Sequence, residues 1–293
     1  MNRMIERSAP IRSISFIGLG LIGMSMLKAI KHSPLSIKSN ILFQGFDPNF
    51  TDCDQSRVKG LGLDLFVKNK EELYSADLII LAAPVKVNIS LLEEIKLLAH
   101  PSTLVSDVSS TKSLIAKKAC ELKLPFVGMH PMAGKEQQGY HQSHEELLKG
   151  QRIILCDDKS LLSGKKGKFL IELLHSAGCS TVCMTPDEHD RVIAKISHLP
   201  QLLSTLLMVY CEESITKSGP GFATFTRLAG SSWAIWKDII ATNSDNIADE
   251  LERFSAEVAK LSREVRERDL DPLESRFSDA NTLYQTLKEM NKQ

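Results

Sequence analysis

The first part of the chain alternates two patterns of apolar residues. Short apolar runs, typical of buried strands, are separated by stretches in which apolar residues recur at helical spacing. Strands that alternate with helices are typical of a parallel, doubly wound sheet with helices on both faces. The pattern therefore predicts an α/β domain over residues 1–185. Its predicted strands are residues 14–17, 41–46, 77–84, 103–108, 125–129, 152–156 and 181–184.

Beyond this domain the pattern is helical only. Helical spacing covers residues 188–217, and Pro200 interrupts it, which predicts a kink near His198. After Ser244 the spacing between apolar residues alternates between four and three, which is a heptad seam that needs a partner. We predict an all-helical domain over residues 186–293 and a homodimer through the C-terminal helices, with packing inside the chain as the alternative. The seam residues are Ile247, Leu251, Phe254, Val258, Leu261 and Val265.

A glycine-rich turn joins the first predicted strand to the first predicted helix. Residues 18–23 fit the GxGxxG pattern, in which Gly18 permits the turn, Gly20 lets a pyrophosphate approach and Gly23 lets helix and strand pack. The free N–H groups of the helix N-terminus would face the phosphates. This turn predicts a Rossmann-like, dinucleotide-binding fold.

Asp47 ends the second predicted strand, where such folds bind a ribose hydroxyl. No arginine stands beside it to hold a 2′-phosphate, so we predict NAD as the cofactor, without excluding NADP. Capping of the following turn is the alternative reading of this acid. The predicted cofactor-binding residues are Gly18, Leu19, Gly20, Leu21, Ile22, Gly23, Asp47, Ala83 and Pro84.

Composition and charge narrow the classes of function. Lys+Arg and Asp+Glu both number 36 in 293 residues, so the net charge is zero. The sequence therefore lacks the excess of positive charge that is typical of nucleic-acid-binding proteins. The six cysteines include no CxxC pair, so we expect reduced thiols and no metal site. We find no signal-peptide pattern and no run of about 18 apolar residues, so we expect a cytoplasmic protein that does not enter a membrane.

His130 follows the predicted strand 125–129 and precedes Pro131 and a loop of small residues. The carboxyl end of a strand is where α/β sheets usually present their chemistry. An imidazole at that place can accept or give a proton near neutral pH. Position alone fits a structural histidine bonded to the backbone equally well.

Several motifs occur together in one order along the chain. They are residues 18–23, Asp-Val-Ser-Ser-Thr-Lys at 107–112, His-Pro-Met-Ala-Gly-Lys-Glu at 130–136, Ser-His-Leu-Pro at 197–200, Phe-Thr-Arg-Leu-Ala at 225–229 and Trp-Lys-Asp-Ile at 236–239. With them the chain resembles the prephenate/arogenate dehydrogenase family over about residues 12–270. The resemblance implies NAD-dependent oxidative decarboxylation of prephenate in tyrosine biosynthesis. Hydride leaves the carbinol carbon, the carboxylate leaves as carbon dioxide and the ring becomes aromatic.

The resemblance also implies roles for five residues. His130 would take the proton of the ring hydroxyl, and Ser110 would orient His130 or that hydroxyl. Arg227 would clamp a substrate carboxylate, and His198 would contact the substrate from the helical domain. Glu136 would line or gate the pocket. The alternatives are a structural ion pair for Arg227 and a solvated loop acid for Glu136.

The chain departs from the family at two places. Ala223 stands where family members often carry a basic residue, and Ser232-Trp233 replaces an acid-proline pair. These changes leave both prephenate and arogenate (a cyclohexadienyl substrate) open as the substrate.

Two other functions are alternatives to a prephenate or arogenate dehydrogenase. One is another two-domain dehydrogenase acting on a hydroxy acid or imine, with Lys195 as its candidate base. The other is an NAD sensor without catalysis, which would need no convergent histidine and arginine.

Overall fold

The computed structural model describes residues 9–134, 138–157 and 159–290. Within this part of the chain, eight strands form one sheet in the order β3-β2-β1-β4-β5-β6-β7-β8. The predicted strands are confirmed, and the short β3 is an addition. The strands are β1 Ser13–Ile17, β2 Leu42–Phe46, β3 Leu65–Phe66, β4 Leu78–Leu81, β5 Leu104–Asp107, β6 Phe126–Pro131, β7 Arg152–Cys156 and β8 Ser180–Met184.

The direction of the strands changes once across the sheet. Neighbours from β3 to β6 pair in parallel, β7 pairs antiparallel to β6, and β8 pairs in parallel with β7. The expectation of a wholly parallel sheet is therefore wrong for the last two strands. The described part of the β6–β7 connection contains short 3₁₀ turns at Tyr140–Gln142 and Glu145–Leu147, and no crossover helix that could carry the chain back.

Helices cover both faces of the sheet, as the alternating pattern predicts. The helices before residue 185 are α1 Leu21–Lys31, α2 Pro34–Ser39, α3 Asp52–Gly60, α4 Lys70–Leu73, α5 Val85–Leu98, α6 Ser113–Glu121 and α7 Lys165–Ser176. Alternate residues of β4 enter different apolar clusters because successive side chains of a strand point to opposite faces. Leu78 and Ile80 pack in the cluster with α1 and α7, whereas Ile79 and Leu81 pack in the cluster with α5 and α6.

The chain after β8 is helical, as predicted. It forms α8 Pro186–Ile193, α9 Leu199–Tyr210, α10 Pro220–Phe225, α11 Trp233–Thr242, α12 Ser244–Glu267 and α13 Leu270–Met290. A π-helical segment, Ala194–His198, lies between α8 and α9 and ends two residues before Pro200. The predicted interruption near His198 is thus present as a π turn, which accommodates the missing N–H of the proline without ending the helix.

Pro186–Tyr210 passes a test of length and mean hydropathy for a membrane-spanning helix, and 33% of its most apolar window is buried in the protein. Core helices of soluble proteins pass the same test, so this stretch is weak evidence for a membrane.

The chain divides into two compact units, Met1–Ser244 and Asp245–Gln293. The second unit contains α13 and nearly all of α12, which are joined by the guanidinium of Arg276. Its Nε lies 2.9 Å from Glu264 Oε2. On α12 the seam side chains of Phe254, Val258, Leu261 and Val265 are between 39% and 58% exposed, so much of their apolar surface faces outward.

Candidate active site

The three glycines of the turn at residues 18–23 have different surroundings. Gly18 has φ +94°, and a Cβ there would lie 2.6 Å from the Ala82 carbonyl carbon, so only glycine fits. A Cβ at Gly23 would lie 2.2 Å from the Gly18 carbonyl oxygen, which shows how closely α1 packs on the turn. A Cβ at Gly20 would meet nothing within 4 Å. Two glycines therefore serve close packing, and the middle one faces open space where a pyrophosphate fits.

Asp47 is tied to this turn by its carboxylate. Its Oδ2 accepts a hydrogen bond from the Leu19 N–H at 3.0 Å, and its Oδ1 accepts one from the Asn49 N–H at 3.0 Å. The bond from Asn49 caps the following turn, which agrees with the alternative interpretation of Asp47 as a capping residue. The bond from Leu19 holds the carboxylate beside the glycine turn. Ala83 and Pro84 lie just beyond β4, where Ala83 donates to Asn88 Oδ1 at 3.2 Å. The predicted cofactor-binding residues thus gather at the carboxyl ends of β1, β2 and β4.

A cavity of about 470 Å³ lies at the end of β6. Its walls come from the loop after β6, the π segment, α9, the 3₁₀ turn Arg227–Gly230 and α11. Apolar walls include Met132, Pro200 and Trp236. The polar lining residues are Ser110, His130, Gln138, Ser197, Gln201, Arg227, Ser231 and Ser232.

The structure brings three of the predicted substrate-site residues together. Ser110, His130 and Arg227 line the same cavity. His198 lies behind its wall, 1% exposed, with its ring edge-on to Trp236 at 5.7 Å between ring centroids. Glu136 falls outside the described residues, and its role stays a prediction.

The turn that carries Arg227 is braced by one amide side chain. Gln201 Nε2 donates to the Leu228 carbonyl oxygen at 2.7 Å, and the Ser231 hydroxyl donates to Gln201 Oε1 at 3.1 Å. Because Gln201 is 5% exposed, these bonds lie out of competition with water. The backbone that presents the guanidinium is therefore held in one place on the cavity wall.

His130 belongs to a chain of hydrogen bonds that ends on a carboxylate. Its Nδ1 lies 2.9 Å from His189 Nε2, and His189 Nδ1 lies 2.8 Å from Asp190 Oδ1. Burial opposes ionisation of Asp190, but hydrogen bonds from His189 and from the N–H groups of Ser113 and Lys112 hold its pKa below the ordinary value. In the tautomer in which His189 donates its Nδ1–H to this carboxylate and accepts at Nε2, His130 donates through Nδ1. His130 Nε2 is then left with a lone pair.

The surroundings favour the uncharged form of both site histidines. Burial, followed by electrostatic interactions with His189, Lys112 and His198, places the pKa of His130 well below its ordinary value. Burial likewise lowers the pKa of His198 to about 4, although Asp190 opposes the shift. At neutral pH His130 is therefore an unprotonated base.

His189 and Asp190 were not predicted from the sequence, and the structure links them to His130. They lie side by side on α8, 0% and 1% exposed. Asp190 also caps α6, because its Oδ1 accepts from the Lys112 N–H at 2.7 Å and its Oδ2 from the Ser113 N–H at 2.8 Å. The available signal was an adjacent His-Asp pair on a helix face that is otherwise apolar. Among the described residues, no group of three His, Cys, Asp or Glu side chains is placed to hold a metal ion.

Comparison with known proteins identifies the family. The family model for the nucleotide-binding domain of prephenate dehydrogenase matches residues 38–183, and the model for its dimerization domain matches residues 185–279. The prephenate dehydrogenase of Bacillus subtilis is 31% identical over 293 residues, covering 92% of this chain and 74% of its own. The chain belongs to the prephenate dehydrogenase family. Membership confirms the predicted family, the fold class and the prediction that the protein is a dehydrogenase.

Two further similar proteins extend the comparison. The cyclohexadienyl dehydrogenase of Zymomonas mobilis is 27% identical, and the match covers 94% of this chain and 96% of that protein. The crystal structure of prephenate dehydrogenase from A. aeolicus has a TM-score of 0.85 at 24% identity, and the match covers 94% of this chain and 98% of that one. The structural match shows that the two proteins share the fold.

Proposed function

We propose that the protein catalyses the NAD-dependent oxidative decarboxylation of prephenate to 4-hydroxyphenylpyruvate, a step of tyrosine biosynthesis in the cytoplasm. The observation that carries the proposal is the convergence of His130 and Arg227 on one cavity, at the sheet edge that also carries the glycine turn. Two comparisons support it. The Bacillus subtilis relative is named for this activity, and the A. aeolicus structure holds NAD⁺ and hydroxyphenyl propionate.

NAD is the cofactor that the residues at this edge suit. The turn at residues 18–23 has open space in front of Gly20 for the pyrophosphate. Asp47, anchored on Leu19, would accept from a ribose hydroxyl and would repel the 2′-phosphate of NADP. The cofactor supplies the acceptor of the hydride that leaves the carbinol carbon.

In this proposal His130 acts first as the general base and then as the general acid of the reaction. Its Nε2 takes the proton of the ring hydroxyl as the carbinol carbon loses hydride and becomes a carbonyl. The bond to His189, which leads to Asp190, holds the imidazole ring in one orientation during the proton transfer. Loss of carbon dioxide leaves its electron pair in the ring as a phenolate, and the imidazolium returns the proton to that oxygen. Ser110, on the same cavity wall, orients the hydroxyl or the imidazole.

Arg227 binds a substrate carboxylate, since its planar guanidinium can donate two parallel hydrogen bonds to two oxygens. The relative from Bacillus subtilis, which is named prephenate dehydrogenase, favours the keto acid prephenate. Arogenate is the second candidate, because a cyclohexadienyl dehydrogenase is among the relatives.

The proposal is tested by following formation of the reduced cofactor, NADH or NADPH, with prephenate, with arogenate and without substrate. We expect turnover with prephenate and NAD, and slower turnover with arogenate or with NADP. Turnover with arogenate alone would keep the chemistry and reverse the specificity. A folded protein that binds NAD yet reduces none of it with either substrate would contradict the proposal.

The helical residues 186–293 form the homodimer in this proposal, and residues 1–185 bind the nucleotide. The dimerization-domain model over residues 185–279 and the exposed seam of α12 support this division.

A charge placed in the α12 seam is expected to separate the subunits. In Val258→Glu a carboxylate would have to be buried in an apolar interface, so we expect a monomer by sedimentation velocity. The matched control is Ala259→Glu, because Ala259 is the exposed next residue on the same helix. A dimeric Val258→Glu protein would place the interface elsewhere.

A further inference from the structure

Lys112 is a lysine with no exposed surface. Its Nζ donates to Asp107 Oδ2 at 2.5 Å, and both side chains are 0% exposed. Lysine is among the residues least often buried, and a buried ion pair contributes little to stability because both ions lose their hydration. The pair therefore calls for an explanation other than stability.

The Lys112 side chain packs against β6, the strand that contains His130. A Cβ at Gly128 of β6 would lie 2.7 Å from Lys112 Cδ, so the lysine chain crosses the strand where glycine leaves room. Gly128 and His130 are two residues apart in β6, and such residues share one face of a sheet. The lysine chain thus lies on the face that carries the imidazole.

Hydrogen bonds hold Lys112 at both its backbone N–H and its side-chain ammonium. Its N–H donates to Asp190 Oδ1 at 2.7 Å, the same oxygen that holds His189. Its ammonium is held by Asp107, whose Oδ2 also accepts from the Ser109 N–H at 3.0 Å. The position of the buried charge is therefore set from both ends.

Charged and titratable groups approach His130 from several elements. α8 contributes His189 and Asp190, the π segment contributes His198, and Arg227 lies across the cavity. The pair of Lys112 and Asp107 lies between β5 and α6. After burial and His189, the Lys112 charge is a cause of the lowered pKa of His130.

We propose that Lys112 is a positioning residue that keeps His130 unprotonated, by holding a buried ammonium on the face of β6 that carries the imidazole. A nearby cation raises the free energy of the imidazolium and leaves that of the neutral ring almost unchanged. Asp107 keeps the ammonium in place and offsets the cost of burying it. The catalytic consequence rests on the proposed function, in which His130 is the base.

The test compares the His130 pKa in three proteins, by NMR titration of the labelled ring in the free protein. Lys112→Met combined with Asp107→Asn removes both charges, and we expect the pKa of His130 to rise. Lys112→Gln alone keeps a hydrogen bond to Asp107 but leaves its negative charge, and we expect a larger rise. Lys118→Met is the matched control, since Lys118 lies on the same helix and pairs with Glu93 at the surface.

In the pH profile of kcat/KM, the loss of activity on the acidic side should begin at a higher pH in these variants than in the wild-type protein. The variants should rank in the same order as their His130 pKa values measured by NMR. A merely structural lysine would lower stability or activity at every pH and leave the titration of His130 in place, which would overturn the proposal. The NMR measurement needs no substrate. Failure of the wild-type protein to oxidise prephenate would therefore refute the proposed function without deciding the role of Lys112.

Discussion

Replacing His130 with alanine is expected to lower kcat by about 10²–10⁴-fold, because the variant has no base to take the hydroxyl proton as hydride leaves. NAD affinity should stay near the wild-type value, since the glycine turn and Asp47 are untouched. Steady-state NADH formation gives kcat, and fluorescence titration gives NAD binding. The matched control is His100→Ala, because His100 is an exposed histidine in the loop before β5. A His130→Ala protein with kcat close to wild type would refute the assignment of the base.

The pH dependence of the wild-type protein follows from the same group. A histidine in water has a pKa of about 6.5, and burial, His189 and Lys112 hold that of His130 well below it. The base form therefore persists as the pH falls through the ordinary histidine range. We expect kcat/KM to decline only below about pH 6.5 on the acidic side, and His130→Ala to lack this limb.

Arg227→Ala is expected to raise the KM for prephenate by about 30-fold or more, the equivalent of losing about 2 kcal/mol from a charge-assisted pair. The reason is that the variant leaves a substrate carboxylate without the bidentate donor that lines this cavity. The change in kcat should be smaller than the change in KM, because the arginine binds and does not transfer a proton. Product inhibition by 4-hydroxyphenylpyruvate should weaken in parallel.

Two comparisons sharpen the arginine experiment. Arg227→Lys should restore only part of the affinity, since an ammonium is a point charge that cannot donate two parallel bonds to a carboxylate. Arg191→Ala removes an exposed arginine of α8 and should leave KM unchanged. An Arg227→Ala protein with the wild-type KM would return Arg227 to its alternative reading as a structural ion pair.

The sequence by itself determined the features that depend on residues close together in the chain. Strand and helix periodicity predicted the α/β sheet and the helices after residue 185, because each element buries a face set by its own spacing. The glycine turn at residues 18–23 was readable because glycine is required by local backbone geometry. His130 was predicted as a site residue from local information too, since the end of an apolar strand marks the edge where α/β sites lie.

Only the tertiary structure decided which distant side chains meet. His189 lies 59 residues after His130, and Asp190 reaches the Lys112 N–H across 78 residues, so no spacing rule connects them. The reversal of β7 and the burial of Lys112 under Gly128 likewise depend on how separate segments pack. The choice of His130 as the candidate base used local information only. Its tautomer and its low proton affinity arise from non-local hydrogen bonds and burial, which exist only after the chain has folded.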